Sequence, residues 1–382
     1  MTAPLIKRLE AAIEAATDEA ERAALVAQVG CYQARIGEFE AAEAIRDGLR
    51  RDFGSGRNPR VSILVMCLEG LLLYFRDLDV RARDRLLRAH LLSESFGLRD
   101  LIGVTAAWLA HIDFNLSQFE SMGVHLRKVF AQEDADDGTA ACRSALVLGD
   151  AFTYAGQLDA ARTWYEIGRQ WAVSLGDQAA VGALTYNQAA LHVAGARLRK
   201  ITTNLRPIEI QQLKAQVQSA KSYQAVARLR SLDHLISTAS IGALMLEDEY
   251  EKAAEGIANL VVLDQVPKES AELALLLADQ AHCLAALGRH ESAGEAALLA
   301  TSVSPSRMDA DDSALLFHAL SECSRLQGNQ IGAKEYYEQL ERSLAAHAVT
   351  MGDLKKSLEP YASGPTNQRI DLSGAGRKAP ST

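Results

Sequence analysis

His318 and Glu322 stand four residues apart, one turn of a helix, and His282 lies 36 residues before His318. Two imidazoles and a carboxylate can form a metal site if the fold gathers them. Histidines on helix faces are more often polar surface or structural groups, and His282 must come from another segment. No metal is therefore expected. The acidic run EDADDG at 133–138 opens like a calcium loop, but the twelfth place counted from Asp134 is Ala145 where the chelating Glu belongs. MDADDS at 308–313 places Asp311 and Asp312 ahead of an apolar helix, where they suit a cap and its dipole. GSGRNP at 54–59 has two glycines without the third glycine or preceding strand of a dinucleotide loop, and reads as a linker. No Ser-His-Asp, Cys-His or paired-carboxylate motif emerges, so neither catalysis nor a cofactor is expected. Cys31, Cys67, Cys142, Cys283 and Cys323 lack C-x-x-C spacing and read as reduced thiols.

The chain has 40 basic and 49 acidic residues, a net charge of −9 that disfavours general nucleic-acid binding. Against that background, the stretch from Arg197 to Leu232 holds eight basic residues and one acidic, Glu209. Arg197, Arg199, Lys200 and Arg206 are candidate contacts for an acidic or phosphate-bearing partner, although a solvated helix face beside a tolerated long loop is the commoner explanation of such charges. The most apolar run, Ser62 to Phe75, contains Glu69, and nothing reaches the roughly 18 apolar residues of a membrane span. The N-terminal MTAPLIKRLEAAIEAAT is an amphipathic helix with Leu5, Leu9 and Ile13 on one face and lacks a secretory h-region. These features predict a cytoplasmic location without membrane contact.

The elements that must position these residues repeat. Gly37, Asp77, Ser117, Gly156 and Ala196 are spaced by 40, 40, 39 and 40 residues; after one gap of 52, Asp248, Gly288 and Gly328 resume the step of 40. Each follows an apolar helix and precedes a helix rich in small residues. A period of this size marks an array of supersecondary units, none of which can bury its apolar face alone. Ala, Leu, Glu and Arg dominate while aromatics and Pro are scarce, so an all-α fold without strands is predicted.

The clearest unit is ALVLGDAFTYAGQLDAARTWYEIGRQWA, residues 145–172. Leu148-Gly149 and Phe152 precede Gly156, and Ala161 and Tyr165 follow it. The pattern resembles the tetratricopeptide repeat, with Gly149 and Ala161 expected where two antiparallel helices cross closely. Gly30, Gly37, Phe39 and Ala42 repeat parts of it, as do Gly70, Ala82 and Leu86, Ala281, Gly288 and Ala293, and Gly328, Ala333 and Tyr337. The step of 40 exceeds the usual 34. In this the chain is similar to the longer arrays of bacterial sensor proteins, including MalT-like regulators, although no diguanylate cyclase motif or helix-turn-helix signature is present. The resemblance implies a right-handed α-solenoid of about eight hairpins spanning 18–361, with an N-terminal helix at 1–17 and a disordered tail at 362–382. The interruption near 197–207 is expected as a loop, followed by a helix starting near Leu205 with Asn204 as cap and Pro207 in its first turn. Met351 to Leu358 is expected to cap the last repeat.

In tetratricopeptide arrays the first helix of each hairpin lines the concave face. Carried onto this sequence, that geometry nominates Leu71, Tyr74 and Phe75; His111, Phe114 and Asn115; Asp150 and Tyr154; and Tyr186. The implied activity is a non-enzymatic scaffold or adaptor gripping a protein or peptide in the groove. The alternative is a stand-alone sensor that binds a small molecule or controls a signalling enzyme or transcription partner. Half-buried aromatics also pack between neighbouring helices without any ligand. The less regular repeats leave room for a homodimer.

Overall fold

The computed structural model describes residues 3–53, 58–132, 138–231, 233–303 and 307–364. Residues 54–57 of the expected linker, 133–137 of the acidic run and 365–382 of the expected tail lie outside them. Among the described residues all regular structure is helical, with seventeen α-helices and one short 3-10 turn, and no helix is long and apolar enough to cross a membrane. The chain divides into two compact units. The first holds Met1–Thr185, Tyr223–Leu232 and Asp353–Thr382, and the second Tyr186–Ser222 and Asp233–Gly352.

In the first unit α1 (Pro4–Ala15) leads into four hairpins: α2 (Glu19–Ile36) with α3 (Phe39–Phe53), α4 (Pro59–Asp77) with α5 (Arg81–Ser95), α6 (Arg99–Asn115) with α7 (Phe119–Phe130), and α8 (Gly138–Tyr154) with α9 (Leu158–Ser174). The two helices of each hairpin pack on one another, and the first helices also meet as α2 with α4 and α6 with α8. Gly37, Ser117 and Gly156 take left-handed backbone at the hairpin turns, with φ of 86°, 52° and 74°. Such a residue ends a helix by turning its last carbonyls toward the following amides. At the second turn the left-handed residue is Leu78, with φ 51°, one place after the expected Asp77.

Small residues sit where helices cross. A Cβ at Gly149 would lie 2.7 Å from the Tyr165 ring, and one at Gly70 would lie 2.9 Å from Leu86. Glu69, the charge inside the apolar α4, is buried but paired with Arg50 and with Arg85. The segment expected to cap the last repeat belongs instead to the first unit. Leu354, Leu358 and Tyr361 are buried there, the Trp164 indole N–H donates to the Tyr361 carbonyl at 3.1 Å, and the Phe130 and Tyr361 rings lie 5.5 Å apart. Apolar residues spaced by four and three form a helical stripe, and the aromatic surface of α7 and α9 supplies its socket.

The second unit is built from most of α10 (Gln178–Thr202) and α11 (Pro207–Ala227), then α12 (Asp233–Leu246) with α13 (Tyr250–Val262), α14 (Ala271–Ala286) with α15 (His290–Ser302), and α16 (Ala310–Leu326) followed by α17 (Gln330–Leu358). Asp248, Gly288 and Gly328 again take the left-handed turn, with φ of 59°, 74° and 79°. Ala196 does not. It is fully buried inside α10, which runs through the expected turn to Thr202. The 52-residue gap is therefore a helix extension rather than a loop, because nothing between Gln178 and Thr202 breaks a helix. Pro207 opens α11 as expected, preceded by Arg206, so Asn204 is not its cap.

Candidate functional site

Within the first unit α2 and α4 are close neighbours, as are α6 and α8, whereas α4 and α6 meet through side chains near their two ends. Near the N-termini Arg60 binds Asp100 with both guanidinium nitrogens. Near the C-termini the Tyr74 hydroxyl lies 3.1 Å from His111 Nε2 and accepts an N–H from Asn115. Between these two clasps is a cavity of about 530 Å³. Its walls come from Gln28, Cys31, Tyr32 and Arg35 of α2, Leu64, Cys67 and Leu71 of α4, and Leu101, Val104 and Trp108 of α6.

One polar wall is built across 142 residues of sequence. Arg35 places two guanidinium nitrogens on the two oxygens of Asp177, at 2.7 and 2.9 Å, with both side chains buried. Asp177 also accepts the Ala180 backbone N–H at 2.9 Å, which caps α10. Burial would raise the Asp177 carboxyl, but the Arg35 charge and hydrogen bonds outweigh it and hold the carboxyl below its usual range. The thiols are different. Burial pushes Cys31 up to about 12 and Cys67 well above the ordinary thiol value, so both are protonated and poorly nucleophilic near neutral pH.

The roof is α1. Leu5 and Leu9 line the cavity, the Leu5 N–H donates to the Gly176 carbonyl at 3.2 Å, and the Arg8 guanidinium donates to the Leu175 carbonyl. No residue between Pro4 and Ala15 is fully buried; Leu5 and Ile6 rest partly buried against a small core of Ala3, Tyr32, Ala179 and Leu229.

Of the nominated groove residues only Leu71 lines the cavity. Tyr74, Phe75 and His111 form an aromatic cluster around Trp108, with edge-on contacts of 5.1 to 5.8 Å, and Asn115 joins it by hydrogen bond. The Tyr74 hydroxyl proton is left for His111, whose imidazole is driven to the neutral form by burial and by the Arg143 and Arg35 charges. Phe114 packs on Phe119 and Tyr154, and buried Asp150 accepts the Tyr165 hydroxyl at 2.8 Å. Tyr186 belongs to the second unit.

The basic candidates lie in the second unit as well. Arg197 binds Asp279 at 2.6 Å, Lys200 donates to the Met245 and Leu246 carbonyls and to Asp248, and Arg206 binds Glu209; Arg199 is exposed. The His282 and His318 rings are 6.3 Å apart while Arg325 takes Glu322, and no trio of metal-ligating side chains is gathered among the described residues.

Sequence reasoning missed two parts of the site, Asp177 as partner of Arg35 and the α1 roof, and also Arg143, which stacks on Trp108 at 3.8 Å without lining the cavity. Arg143 had a legible signal, a lone charge inside the apolar run ACRSALVLG. Neither the protein-family models nor the curated proteins contain a match to this chain. The arrangement is suited to holding a molecule: a mixed apolar and polar chamber with a lightly packed cover and protonated thiols.

Proposed function

We propose that the chain is a non-enzymatic binding module of about eight tetratricopeptide-like hairpins in a right-handed array, and that the cavity of its first unit takes a small organic ligand, as in a sensor or regulator. The supporting observation is the size and lining of the cavity. A chamber of about 530 Å³ under Leu5 and Leu9 falls within the roughly 300–1,000 Å³ typical of small-molecule sites and is too short for a long extended peptide. Ligand binding would be read by a protein partner elsewhere on the array. The test is thermal-shift screening of a metabolite panel against the wild type and Leu9→Trp, which fills the chamber from its half-exposed roof. Compounds that raise the melting temperature of the wild type are expected to lose that effect in Leu9→Trp; equal shifts in both proteins refute the cavity as the site.

Peptide or protein binding along the first helices remains the second reading, supported by exposed Asn115 and half-exposed Phe75 and Tyr154 near the C-terminal ends of α4, α6 and α8. On that reading Phe75→Ala with Asn115→Ala abolishes capture of one defined partner, while Leu9→Trp leaves it intact.

A further inference from the structure

The charged side chains around the cavity of the first unit are all engaged. Two arginines and two aspartates line it, a formal sum of zero. Arg35 and Asp177 hold each other through two hydrogen bonds, and Asp100 is held by both guanidinium nitrogens of Arg60. Arg99 is not free either. Burial would raise both aspartates, but the arginine bound to each outweighs it and keeps the carboxyl below its usual range. An ion entering here must draw a partner away from one of these contacts or stay unpaired against an apolar wall, and both carry a desolvation cost that an uncharged molecule does not meet.

The hydrogen-bonding groups left over are neutral. Gln28, Tyr32 and Arg35 line the cavity from one face of α2, spaced by four and three residues. Arg35 is committed to Asp177, whereas neither the Gln28 amide nor the Tyr32 hydroxyl has a hydrogen-bond partner among the described residues. Tyr32 is only 4% exposed, and a phenol that deep in a protein ordinarily finds a partner. Burial first and the Asp177 charge second push it up to about 12, so it keeps its proton and stands as a donor. Much of the remaining wall is apolar, with Leu64, Leu71, Leu101, Val104 and the Trp108 ring.

We propose that the cavity selects an uncharged organic molecule, an apolar or aromatic body carrying a hydroxyl or carbonyl, with the body against Leu71, Leu101 and Trp108 and its oxygen accepting from the Tyr32 hydroxyl beside the Gln28 amide. The proposal rests on the cavity being a ligand site, and the two ideas separate in one experiment. The affinities of the neutral 2-naphthalenemethanol, the anion 2-naphthoate and the cation 2-naphthylmethylammonium are measured by calorimetry for the full chain, Tyr32→Phe and Leu9→Trp. The alcohol is expected to bind the wild type about tenfold or more tighter than either ion. Tyr32→Phe is expected to weaken the alcohol about three- to tenfold, the range of one neutral hydrogen bond. An ion that binds as tightly as the alcohol, or an alcohol affinity unchanged in Tyr32→Phe, overturns the ligand class alone, provided that Leu9→Trp abolishes binding. If no probe binds the wild type, or Leu9→Trp changes nothing, the cavity reading falls with it. A second measurement separates ligand selection from structural support. Tyr32→Phe is expected to melt no lower than the wild type, because the hydroxyl it removes bonds to nothing in the fold; a clear drop in melting temperature assigns that hydroxyl to the scaffold and overturns its role in the site.

Discussion

Each unit buries an arginine against an aspartate between helices distant in sequence, and the two aspartates are bonded to different degrees. In the first unit both oxygens of Asp177 accept from Arg35, and one of them also caps α10. In the second, Arg197 gives one bond to Asp279, whose other oxygen is buried without a partner, and burial raises the Asp279 carboxyl despite Arg197. Asp312 adds to that acidic surplus; burial, then Asp311 and Asp309, push it up to about 8. The same helical framework therefore accommodates a fully bonded and a half-bonded buried carboxylate. The difference also explains the basic island of the sequence. Arg197, Lys200 and Lys214 meet Asp279, Asp248 and Glu247, so much of that island neutralises the acidic second unit from within.

The sharpest way to break the comparison is to remove each aspartate. Asp177→Ala strands buried Arg35 without its carboxylate and beside the like charge of Arg143, and is expected to cost about 3–5 kcal/mol, the range for breaking a buried pair. Urea denaturation measures it, and a loss under about 1 kcal/mol would show that water reaches Arg35. Asp279→Asn is expected to cost less, about 1–3 kcal/mol, because Arg197 is partly exposed and the Asp279 carboxyl is already disfavoured. If Asp279→Asn costs more than Asp177→Ala, the two balances have been ranked wrongly.

The hairpin turns were legible because left-handed backbone restricts residue choice; Gly37, Gly156, Gly288 and Gly328 announce themselves, and Ser117 and Asp248 fit the same period. Ala196 was misleading for the same reason: it kept the spacing, but an alanine is also a good mid-helix residue, and periodicity cannot tell a turn from a helix that runs on. The cavity was not legible. Arg35 and Asp177 are 142 residues apart, and their pairing depends on how the end of α2 meets the turn before α10. Nor could an amphipathic N-terminal helix reveal that Leu5 and Leu9 line a cavity.

Acid sharpens the comparison at a smaller scale, since each unit holds a histidine in neutral form. In the first unit Thr105 donates to the Leu101 carbonyl at 2.6 Å, so His90 Nδ1–H donates to Thr105 and His90 Nε2 accepts from Lys128 at 3.0 Å. Burial first and the Lys128 charge second take His90 down to about 4; burial first and His318 second take His282 in the second unit to about 4. The folded values lie below the unfolded value near 6.5. Stability is therefore complete above about pH 6.5 and is lost as pH falls toward 4, because only the unfolded chain takes up the proton. Each unit of separation is worth at most about 1.4 kcal/mol. His90→Gln and His282→Gln should each flatten this acid slope in urea titrations at pH 7, 6 and 5; an unchanged slope in His90→Gln would mean that His90 is already protonated in the fold.

The smallest expected effect compares two turns, Ser117 in the first unit and Asp248 in the second, which hold φ of 52° and 59° without being glycine. Left-handed backbone costs an L-residue about 1 kcal/mol, so glycine should relieve each site, less the entropy that glycine returns to the unfolded chain. Ser117 makes no side-chain hydrogen bond among the described residues, and Ser117→Gly is expected to be neutral to stabilising by a few tenths of a kcal/mol. Asp248 binds Lys200 at 2.6 Å and accepts the Tyr250 hydroxyl at 2.9 Å, so Asp248→Gly gains the same relief and loses both contacts. A net loss of about 0.5–1 kcal/mol is expected there. If both changes stabilise equally, the Lys200–Asp248 contact contributes nothing, and the basic island loses one of the three pairs that make it a counterweight in the second unit.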